Sequence, residues 1–242
     1  MLYLIGIGLN NEKDITVKGL EAVKKCQHIY LENYTSLLQC SKEDLEKFYN
    51  IKITKANRAL VEQSEEILGR AKEQDVALLI IGDVFSATTH FQIYKEALEQ
   101  GIQIEVIHNA SVLTAVSQTG LQLYKFGRVA SIPFNNKDIK VPFEILKDNQ
   151  GLGLHTLFVL GLESEEDKYM TVQQALSYLQ QSDLVNEKTM FIGCARLGSN
   201  DALIKAGTAE QLMKVDFGKP PHCVIIPGNM HFLEEEALEL WG

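Results

Sequence analysis

Short apolar runs alternate with amphipathic segments through the first 110 residues, and this alternation constrains the fold more than any other feature of the chain. Runs such as Val76 to Ile81 have the length and composition of buried strands. Segments such as Leu60 to Gln74 carry apolar residues at helical spacing, which predicts helices between the strands. Such alternation is typical of a largely parallel sheet covered by helices. We therefore predict an α/β domain over residues 1–110.

The predicted elements of this domain are strand 2–7, a helix from Asp14 or Thr16 through Lys25, strand 27–31, helix 42–49, strand 51–54, helix 60–74, strand 76–81, helix 91–100 and strand 102–107. After residue 111 the pattern changes. Strands are predicted over 128–132, 155–160, 189–194 and 222–226, helices over 112–117, 172–181 and 208–215, and a polar, turn-rich stretch over 133–140. We predict a second α/β domain, residues 111–242, with a mixed sheet.

The composition of the chain argues against two classes of partner, nucleic acids and membranes. With 45% hydrophobic and 23% charged residues, a chain of 242 residues can bury an ample core. The formal net charge of -9 argues against a broad nucleic-acid interface, although a local basic patch is still compatible with it. The four cysteines include no Cys-x-x-Cys pair, which is typical of a reducing cytosol, and no apolar run has membrane-spanning length. We expect a soluble, cytoplasmic protein with neither a nucleic acid nor a membrane as partner.

Two glycines near the start of the chain raise the alternative of a nicotinamide enzyme. The run Gly6 to Asn11 begins like a dinucleotide-binding fingerprint but lacks its third glycine. Glu32 stands where a ribose-binding acid is expected, so this alternative stays open. The histidines have no metal-ligand spacing and no Gly-x-Ser-x-Gly turn marks a nucleophile, so we predict no metal and name no catalytic residue. The acidic clusters Glu163–Asp167 and Glu234–Glu236 are interpreted as solvated surface.

A polar loop, Gly82 to His90, follows the apolar run 76–81 and contains the carboxylate of Asp83. In an open α/β sheet, ligands bind beyond the carboxyl ends of the strands. Small or polar residues also follow other predicted strands, at Gly8-Leu9, Asn109–Ser111, Leu160-Gly161 and Ala195–Ser199. These loops favour a folded organic ligand held mainly by backbone groups. The alternative is an ordinary turn capped by Thr88 or Thr89.

Motifs spread over nearly the whole chain resemble those of the diphthine synthase family, within the tetrapyrrole methylase superfamily. They are Leu2–Leu9, Asp14–Thr16, Lys18–Glu21, Tyr34–Ser36, Gly82-Asp83, Ala87–His90, Ile107–Ser111, Gly120–Gly127, Gly153–Leu157, Ala195–Gly198 and Pro221-His222. The resemblance implies two α/β domains with S-adenosylmethionine in the cleft between them, and a homodimer. It implies repeated methylation of the amine of a 3-amino-3-carboxypropyl group carried by a histidine of translation elongation factor 2. The segment 42–49 and the context of Asn109 resemble eukaryotic members, which also esterify the carboxylate.

The resemblance implies cofactor contacts at Leu9, Asp83, Ser86, Ser111, Val112, Leu160, Leu197 and His222. Asp83 is expected to be the main carboxylate contact, and Ser86 to contribute its backbone alone. Val84 stands where the family usually has proline, which removes a fixed φ and leaves the geometry of this loop open. His222 either contacts the cofactor or closes the turn at Pro220-Pro221. A precorrin-type methyltransferase and a nucleotide-binding module are the alternatives to the implied function.

Overall fold

The computed structural model describes all 242 residues except the side chain of Glu165. The chain divides into two compact units, Met1–Leu113 and Thr114–Gly242, so the predicted boundary at 110/111 lies a few residues before this division. No helix in the part of the chain that the structure describes is both long enough and apolar enough to cross a membrane.

The first unit contains five strands and five helices, and a sixth, short helix at its end continues two residues into the second unit. In chain order they are β1 (Leu2–Gly6), α1 (Val17–Val23), β2 (His28–Glu32), α2 (Lys42–Tyr49), β3 (Thr54–Ala56), α3 (Arg58–Gln63), α4 (Glu65–Ala71), β4 (Val76–Ile80), α5 (Phe91–Glu99), β5 (Ile104–Ile107) and α6 (Val112–Ala115). The strands form one sheet in the order β3-β2-β4-β1-β5, and every pairing is parallel.

The central strands β1 and β4 are buried along their whole length. Their side chains alternate between two apolar clusters, one on each face of the sheet: Leu4 and Leu78 belong to one cluster, and Ile5 and Leu79 belong to the other. A parallel sheet with helices on both faces needs apolar residues in both directions, which is why these strands are continuous apolar runs in the sequence.

Two predicted elements of this unit differ from the structure. The helix predicted over 60–74 is two helices, α3 and α4, separated by Ser64. Ser64 is buried and has a φ of 54°, in the left-handed region, so the helix cannot continue through it. The strand predicted over 51–54 begins only at Thr54, because Asn50 ends α2 in the left-handed conformation and the chain needs further residues to reach the sheet.

The second unit contains β6 (Ala130–Ile132), α7 (Val141–Gly151), β7 (Thr156–Leu160), β8 (Leu162–Glu163), β9 (Lys168–Tyr169), α8 (Val172–Leu179), β10 (Met190–Ala195), β11 (Leu203–Thr208), α9 (Ala209–Leu212), β12 (His222–Ile226) and α10 (Phe232–Glu239). Its main sheet has the order β11-β10-β12-β7-β6. The β6–β7 pair is parallel and the other three pairs are antiparallel, so the sheet is mixed.

Three substantial elements of this unit, α7, β11 and α10, are absent from the predicted set. The interpretation of Glu234–Glu236 as solvated surface is wrong for Glu234, which lies in the first turn of α10 and is fully buried. Its carboxylate is compensated by four donors, among them Lys125 and His155. A buried charge is tolerated only with such compensation.

Candidate active site

Three loops of the first unit lie at the carboxyl edge of its sheet, after the adjacent strands β4, β1 and β5. They are Ile7–Leu9, Gly82–Ser86 and His108–Ser111. The first two are joined directly by paired backbone hydrogen bonds between Gly8 and Gly82, with N–O distances of 2.8 and 3.2 Å. Parallel neighbouring strands deliver their carboxyl ends to one edge, so the predicted set Leu9, Asp83, Ser86 and Ser111 is gathered there.

Glycine is required where these loops meet. A Cβ atom on Gly6 would lie 2.7 Å from the carbonyl oxygen of Gly82, and one on Gly8 would lie 2.4 Å from the Cβ of Asp14. Gly8 also has a φ of 80°, which other residues rarely adopt. The Gly6-Ile7-Gly8 run therefore has a packing explanation that does not require a dinucleotide.

Asp14 fixes the loop after β1. This role was not predicted from the sequence. Oδ2 of Asp14 accepts hydrogen bonds from the backbone N–H groups of Leu9 at 3.1 Å and Asn10 at 2.7 Å. The side-chain amide of Asn109 donates to the carbonyl oxygens of Gly6 and Asp14, each at 3.0 Å. The loop after β5 is thereby tied to the loop after β1. The position of Asp14 shortly after the turn glycine Gly8 was the one sequence feature that could have indicated this role.

The carboxylate of Asp83 organises the other two loops. Its Oδ1 accepts hydrogen bonds from the backbone N–H of Phe85 and the hydroxyl of Ser86, both at 3.1 Å. Its Oδ2 accepts one from the N–H of Asn109 at 3.1 Å and lies 2.8 Å from Nδ1 of His108. Burial alone would raise the pKa of this carboxyl, but the four donors outweigh burial and leave the pKa below its ordinary value. Asp83 is therefore ionised at neutral pH.

The side chain of Val84, at the position where the family usually has proline, is fully buried in the apolar cluster of Leu4 and Leu78. Its carbonyl oxygen accepts a hydrogen bond from the hydroxyl of Thr88 at 2.9 Å. Together with the bonds from Phe85 and Ser86 to Asp83, this contact fixes the loop without a proline ring. Ser111 is buried just beyond β5, and Val112 is the partly buried first residue of α6.

The remaining predicted residues lie together on one edge of the mixed sheet of the second unit. His222 begins β12 and is paired with Ala195, the last residue of β10, which precedes Leu197 by two positions. Its neighbour Cys223 pairs with Val159 of β7, so Leu160 lies beside His222. Leu197 is buried and Leu160 is partly buried.

Arg196 fixes the loop that carries Leu197. The backbone of Arg196 has a φ of 51°, and its N–H donates to the carbonyl of Pro221 at 2.9 Å. Its guanidinium is buried and donates to the carbonyls of Phe217 and Lys219 and to the carboxylate of Asp201. A planar group with five donors suits this role. Arg196 belongs to the motif Ala195–Gly198, but its role as a buried anchor was not predicted from the sequence.

His222 has both ring nitrogens engaged within its own unit. Nδ1 accepts a hydrogen bond from the backbone N–H of Val172 at 3.4 Å, and Nε2 lies 3.1 Å from the carbonyl oxygen of Lys219. Burial lowers the pKa of this imidazole. A neutral ring with its proton on Nε2 satisfies both contacts. Through the Lys219 contact, the ring of His222 helps to close the turn around Pro220-Pro221, and the contact of this residue with the cofactor stays a prediction.

The described side chains include no group of three or more His, Cys, Asp or Glu residues arranged to hold a metal ion. The loops at the edges of the two sheets instead offer backbone groups, hydroxyls and apolar side chains. Such loops can bind an organic ligand by hydrogen bonds to its polar groups and by apolar contacts to its rings.

Comparisons with known proteins agree with these features. The sequence model of the family described as Tetrapyrrole (Corrin/Porphyrin) Methylases matches residues 1–213. The human diphthine methyl ester synthase is 43% identical over 100% of this chain and 95% of its own length, and the diphthine synthase of Methanosphaera stadtmanae is 39% identical over 98% and 94%. A crystal structure of diphthine synthase superposes with a TM-score of 0.94 at 37% identity, covering 100% of this chain and 95% of that one.

These matches confirm the predicted fold class of two α/β units and the prediction of a methyltransferase. They also confirm the resemblance inferred from the motifs, because they extend over the full length that the motifs span. The nicotinamide alternative has no support from them. This chain belongs to the family of tetrapyrrole methylases.

Proposed function

We propose that this methyltransferase uses S-adenosylmethionine to methylate the modified histidine of translation elongation factor 2 in diphthamide biosynthesis. The observation that carries the proposal is the end-to-end similarity to diphthine methyl ester synthases, 43% identity over the whole chain for the human protein. The reaction methylates the amine of the 3-amino-3-carboxypropyl group repeatedly and also esterifies its carboxylate. The esterification is supported by the names of the eukaryotic relatives, which are called methyl ester synthases.

The proposed cofactor contacts are the eight residues inferred from the resemblance: Leu9, Asp83, Ser86, Ser111, Val112, Leu160, Leu197 and His222. This assignment is supported by the positions of these residues in or beside loops at the edges of the two sheets, where backbone groups and apolar side chains are available. Asp83 has both oxygens already engaged by loop groups. A cofactor group that binds its carboxylate therefore displaces the hydroxyl of Ser86 or the ring of His108, whose side chain is 66% exposed.

The main requirement of the reaction is that the protein align the amine of the substrate with the methyl group of the cofactor. Methyl transfer from a sulfonium is an in-line displacement by a neutral amine. An α-amino group has an ordinary pKa of about 8, so deprotonating it at pH 7 costs about 1.4 kcal/mol. Positioning can contribute roughly 7–11 kcal/mol. A dedicated general base is therefore unnecessary in principle, and we assign none.

The proposed setting is the cytoplasm, where the factor acts in translation, and the proposed assembly is a homodimer, as the family resemblance implies. The net charge of -9 supports a protein substrate over a nucleic acid. Size-exclusion chromatography with light scattering tests the assembly: a mass near twice 27.1 kDa is expected.

The experiment that tests the activity supplies purified protein with labelled S-adenosylmethionine and three candidate acceptors in parallel. We expect label on elongation factor 2 taken from cells that cannot methylate the modified histidine. The same factor from normal cells, whose site is already methylated, is the matched control and should stay unlabelled. Label on a precorrin would show that the substrate is a tetrapyrrole and not the factor. If neither the unmethylated factor nor the precorrin is labelled, the proposal is refuted.

A further inference from the structure

A cavity of about 230 Å³ lies in the first unit, beside the loop that carries Asp83. Tyr34 and His90 line it together with the apolar side chains of Val61 and Ile93, and the exposed carboxylate of Glu62 lies at its rim. The volume is an order of magnitude above the ~15 Å³ that one water needs, so the cavity has room for an organic group.

Buried polar atoms without partners are concentrated here. Five buried side-chain nitrogen and oxygen atoms have no hydrogen-bond partner among the described residues, and three of them are the hydroxyl of Tyr34 and both ring nitrogens of His90. Tyr34 is 6% exposed and His90 1%. Native proteins pair nearly all such atoms, so each exception calls for an explanation, and a ligand that pairs them is one. Tyr34 and His90 both line the cavity, so a side-chain movement that turns these atoms toward it would let a bound group pair them.

The cavity lies at the same edge of the sheet as the proposed cofactor loops. Tyr34 follows β2, and β2 is the neighbour of β4 on the side away from β1. His90 lies four positions beyond Ser86, at the end of the segment that follows β4. The loop Gly82–Ser86 therefore has the loops after β1 and β5 on one side and the cavity on the other. A substrate group held here would lie next to the proposed cofactor loop.

The buried carboxylate of Glu32 fixes the backbone at Tyr34 and lies near the ring of His90. Glu32 accepts hydrogen bonds from the backbone N–H groups of Tyr34 and Thr35, both at 2.7 Å, and its Oε2 lies 3.8 Å from Nε2 of His90. Burial lowers the pKa of His90, although the Glu32 carboxylate and the Val84 carbonyl counteract it; both lie near the ring without the geometry of a hydrogen bond. His90 is thus neutral and offers one N–H donor and one acceptor nitrogen.

Charges of both signs lie at or near the cavity. The carboxylate of Glu62 lines it, and the guanidinium of Arg58 lies 5.1 Å from the centroid of the Tyr34 ring and 3.4 Å from Glu62. The carboxylate of Glu32 lies behind Tyr34 and contacts its backbone. A group that pairs the orphaned atoms must accept hydrogen bonds from Tyr34 and His90 and donate one to His90. An amine and a carboxylate on the same carbon meet both requirements and carry both charges.

We propose that this cavity binds the amino-acid end of the substrate side chain, the amine and carboxylate of its 3-amino-3-carboxypropyl group. The inference rests on the proposed function and extends it to a substrate subsite. Tyr34 and His90 are positioning residues in it: they hold the end of the side chain so that its amine faces the methyl donor.

The test compares two isosteric variants that each remove one buried, unpartnered tyrosine hydroxyl. Tyr34→Phe changes the cavity, and Tyr49→Phe changes the opposite apolar cluster of the same unit. Both variants should fold, because neither removes a hydrogen bond made within the protein. For Tyr34→Phe we expect a KM for elongation factor 2 about tenfold above that of the wild type, the effect of one lost hydrogen bond, with the Kd for S-adenosylmethionine unchanged. Tyr49→Phe should match the wild type in both quantities.

A Tyr34→Phe enzyme whose KM for the factor equals that of Tyr49→Phe would overturn the inference. A raised Kd for S-adenosylmethionine with an unchanged KM for the factor would overturn it too, because the cofactor's own 3-amino-3-carboxypropyl end would then occupy the cavity. His90→Asn, which keeps a donor and an acceptor, should lie between wild type and His90→Leu in KM. Failure of the wild-type enzyme to label the factor would refute the proposed function itself, and is seen before any variant is compared.

Discussion

Each unit of this protein contains a buried carboxylate that is paired with a histidine, and the two differ in what surrounds them. Asp83 and Glu234 each accept four hydrogen bonds, two of them from backbone N–H groups. The histidine beside Asp83, His108, is mostly exposed, whereas His155 beside Glu234 is fully buried. A satisfied buried carboxylate therefore does not identify a functional site by itself. For Asp83 and Glu234, the accessibility of the histidine partner distinguishes a carboxylate that a ligand can reach from one that only supports the fold.

The Glu234 cluster has the features of a structural anchor. Its carboxylate joins α10 to the loop at Gln122 through the backbone N–H at 2.8 Å, and to Nε2 of His155 at 2.9 Å. Nδ1 of His155 accepts a hydrogen bond from the N–H of Gly228 at 2.9 Å. The ring is therefore neutral with its proton on Nε2, in line with a pKa that burial lowers. Both ring nitrogens are used within the unit and none faces a ligand.

The largest expected effect is on stability, from Glu234→Gln. The change leaves Lys125 facing a neutral group at a buried position, and removing one partner of a buried ion pair costs about 3–5 kcal/mol. Urea unfolding followed by circular dichroism measures the loss. Glu235→Gln, in the same turn but exposed, is the matched control and should stay within about 0.5 kcal/mol of wild type. Equal stability of the two variants would remove the structural role of Glu234.

Asp83→Ala should act mainly on the cofactor. Loss of a charge-assisted hydrogen bond and of the loop contacts weakens S-adenosylmethionine binding about ten- to a hundredfold, or roughly 1.5–3 kcal/mol. Isothermal titration calorimetry measures this on protein shown to be folded. Glu234→Gln, studied at a temperature where it is folded, should bind as the wild type does. Unchanged cofactor affinity in Asp83→Ala would mean that this carboxylate only forms the turn.

The pH dependence of stability should reveal the Glu234 cluster. Burial alone would raise the pKa of Glu234, but its four hydrogen bonds together outweigh burial and lower the pKa from 4.5 to about 2. A lowered pKa means that folding favours the ionised form, so the stabilisation is present above pH 4.5 and is lost as the pH falls toward 2. The stability deficit of Glu234→Gln should thus shrink in acid.

Urea midpoints of wild type and Glu234→Gln at about pH 7 and about pH 3.5 measure this change. His155 adds a second contribution in the same direction to the wild type, because its lowered pKa makes the folded state resist protonation below its ordinary 6.5. A deficit that is the same at both pH values would show that the charge of Glu234 has no part in it.

The smallest effect is expected from His108→Asn. The imidazole contacts Asp83 but is largely exposed, and even fully charged pairs at exposed positions contribute only about 0.2–1 kcal/mol. We expect stability within 1 kcal/mol of wild type and a cofactor affinity lowered no more than fivefold. Thermal unfolding and calorimetry measure the two quantities. A loss of stability as large as that of Glu234→Gln would abolish the contrast between the two clusters.

The sequence predicts the parts of this fold that depend on local pattern. The run Val76–Ile81 predicts β4 because a strand buried on both faces must be apolar throughout. Thr16 marks the start of α1, and its hydroxyl accepts a hydrogen bond from Gly19. The break at Ser64 could not be predicted, because the helical spacing of apolar residues continues across it.

The candidate site was predictable in position more than in detail. Ligand loops follow parallel strands, so the Gly82–Ser86 loop is expected at the carboxyl edge of the sheet. The burial of Glu234 was missed because three successive glutamates suggest a surface, although Leu238, four residues later, marks the buried face of the same helix. The roles of Asp14 and Arg196 depend on contacts with distant backbone groups, which no local pattern encodes.

The most direct test of the account is mass spectrometry of the modified peptide of elongation factor 2 after incubation with this enzyme and S-adenosylmethionine. The factor comes from cells that add the 3-amino-3-carboxypropyl group to the histidine but cannot methylate it. We predict successive additions of methyl groups, located by fragmentation on the amine and the carboxylate of that group, and additions roughly five- to fiftyfold slower with Asp83→Ala at a cofactor concentration near the wild-type Kd. An unmodified peptide after complete incubation with the folded wild-type enzyme would contradict this prediction.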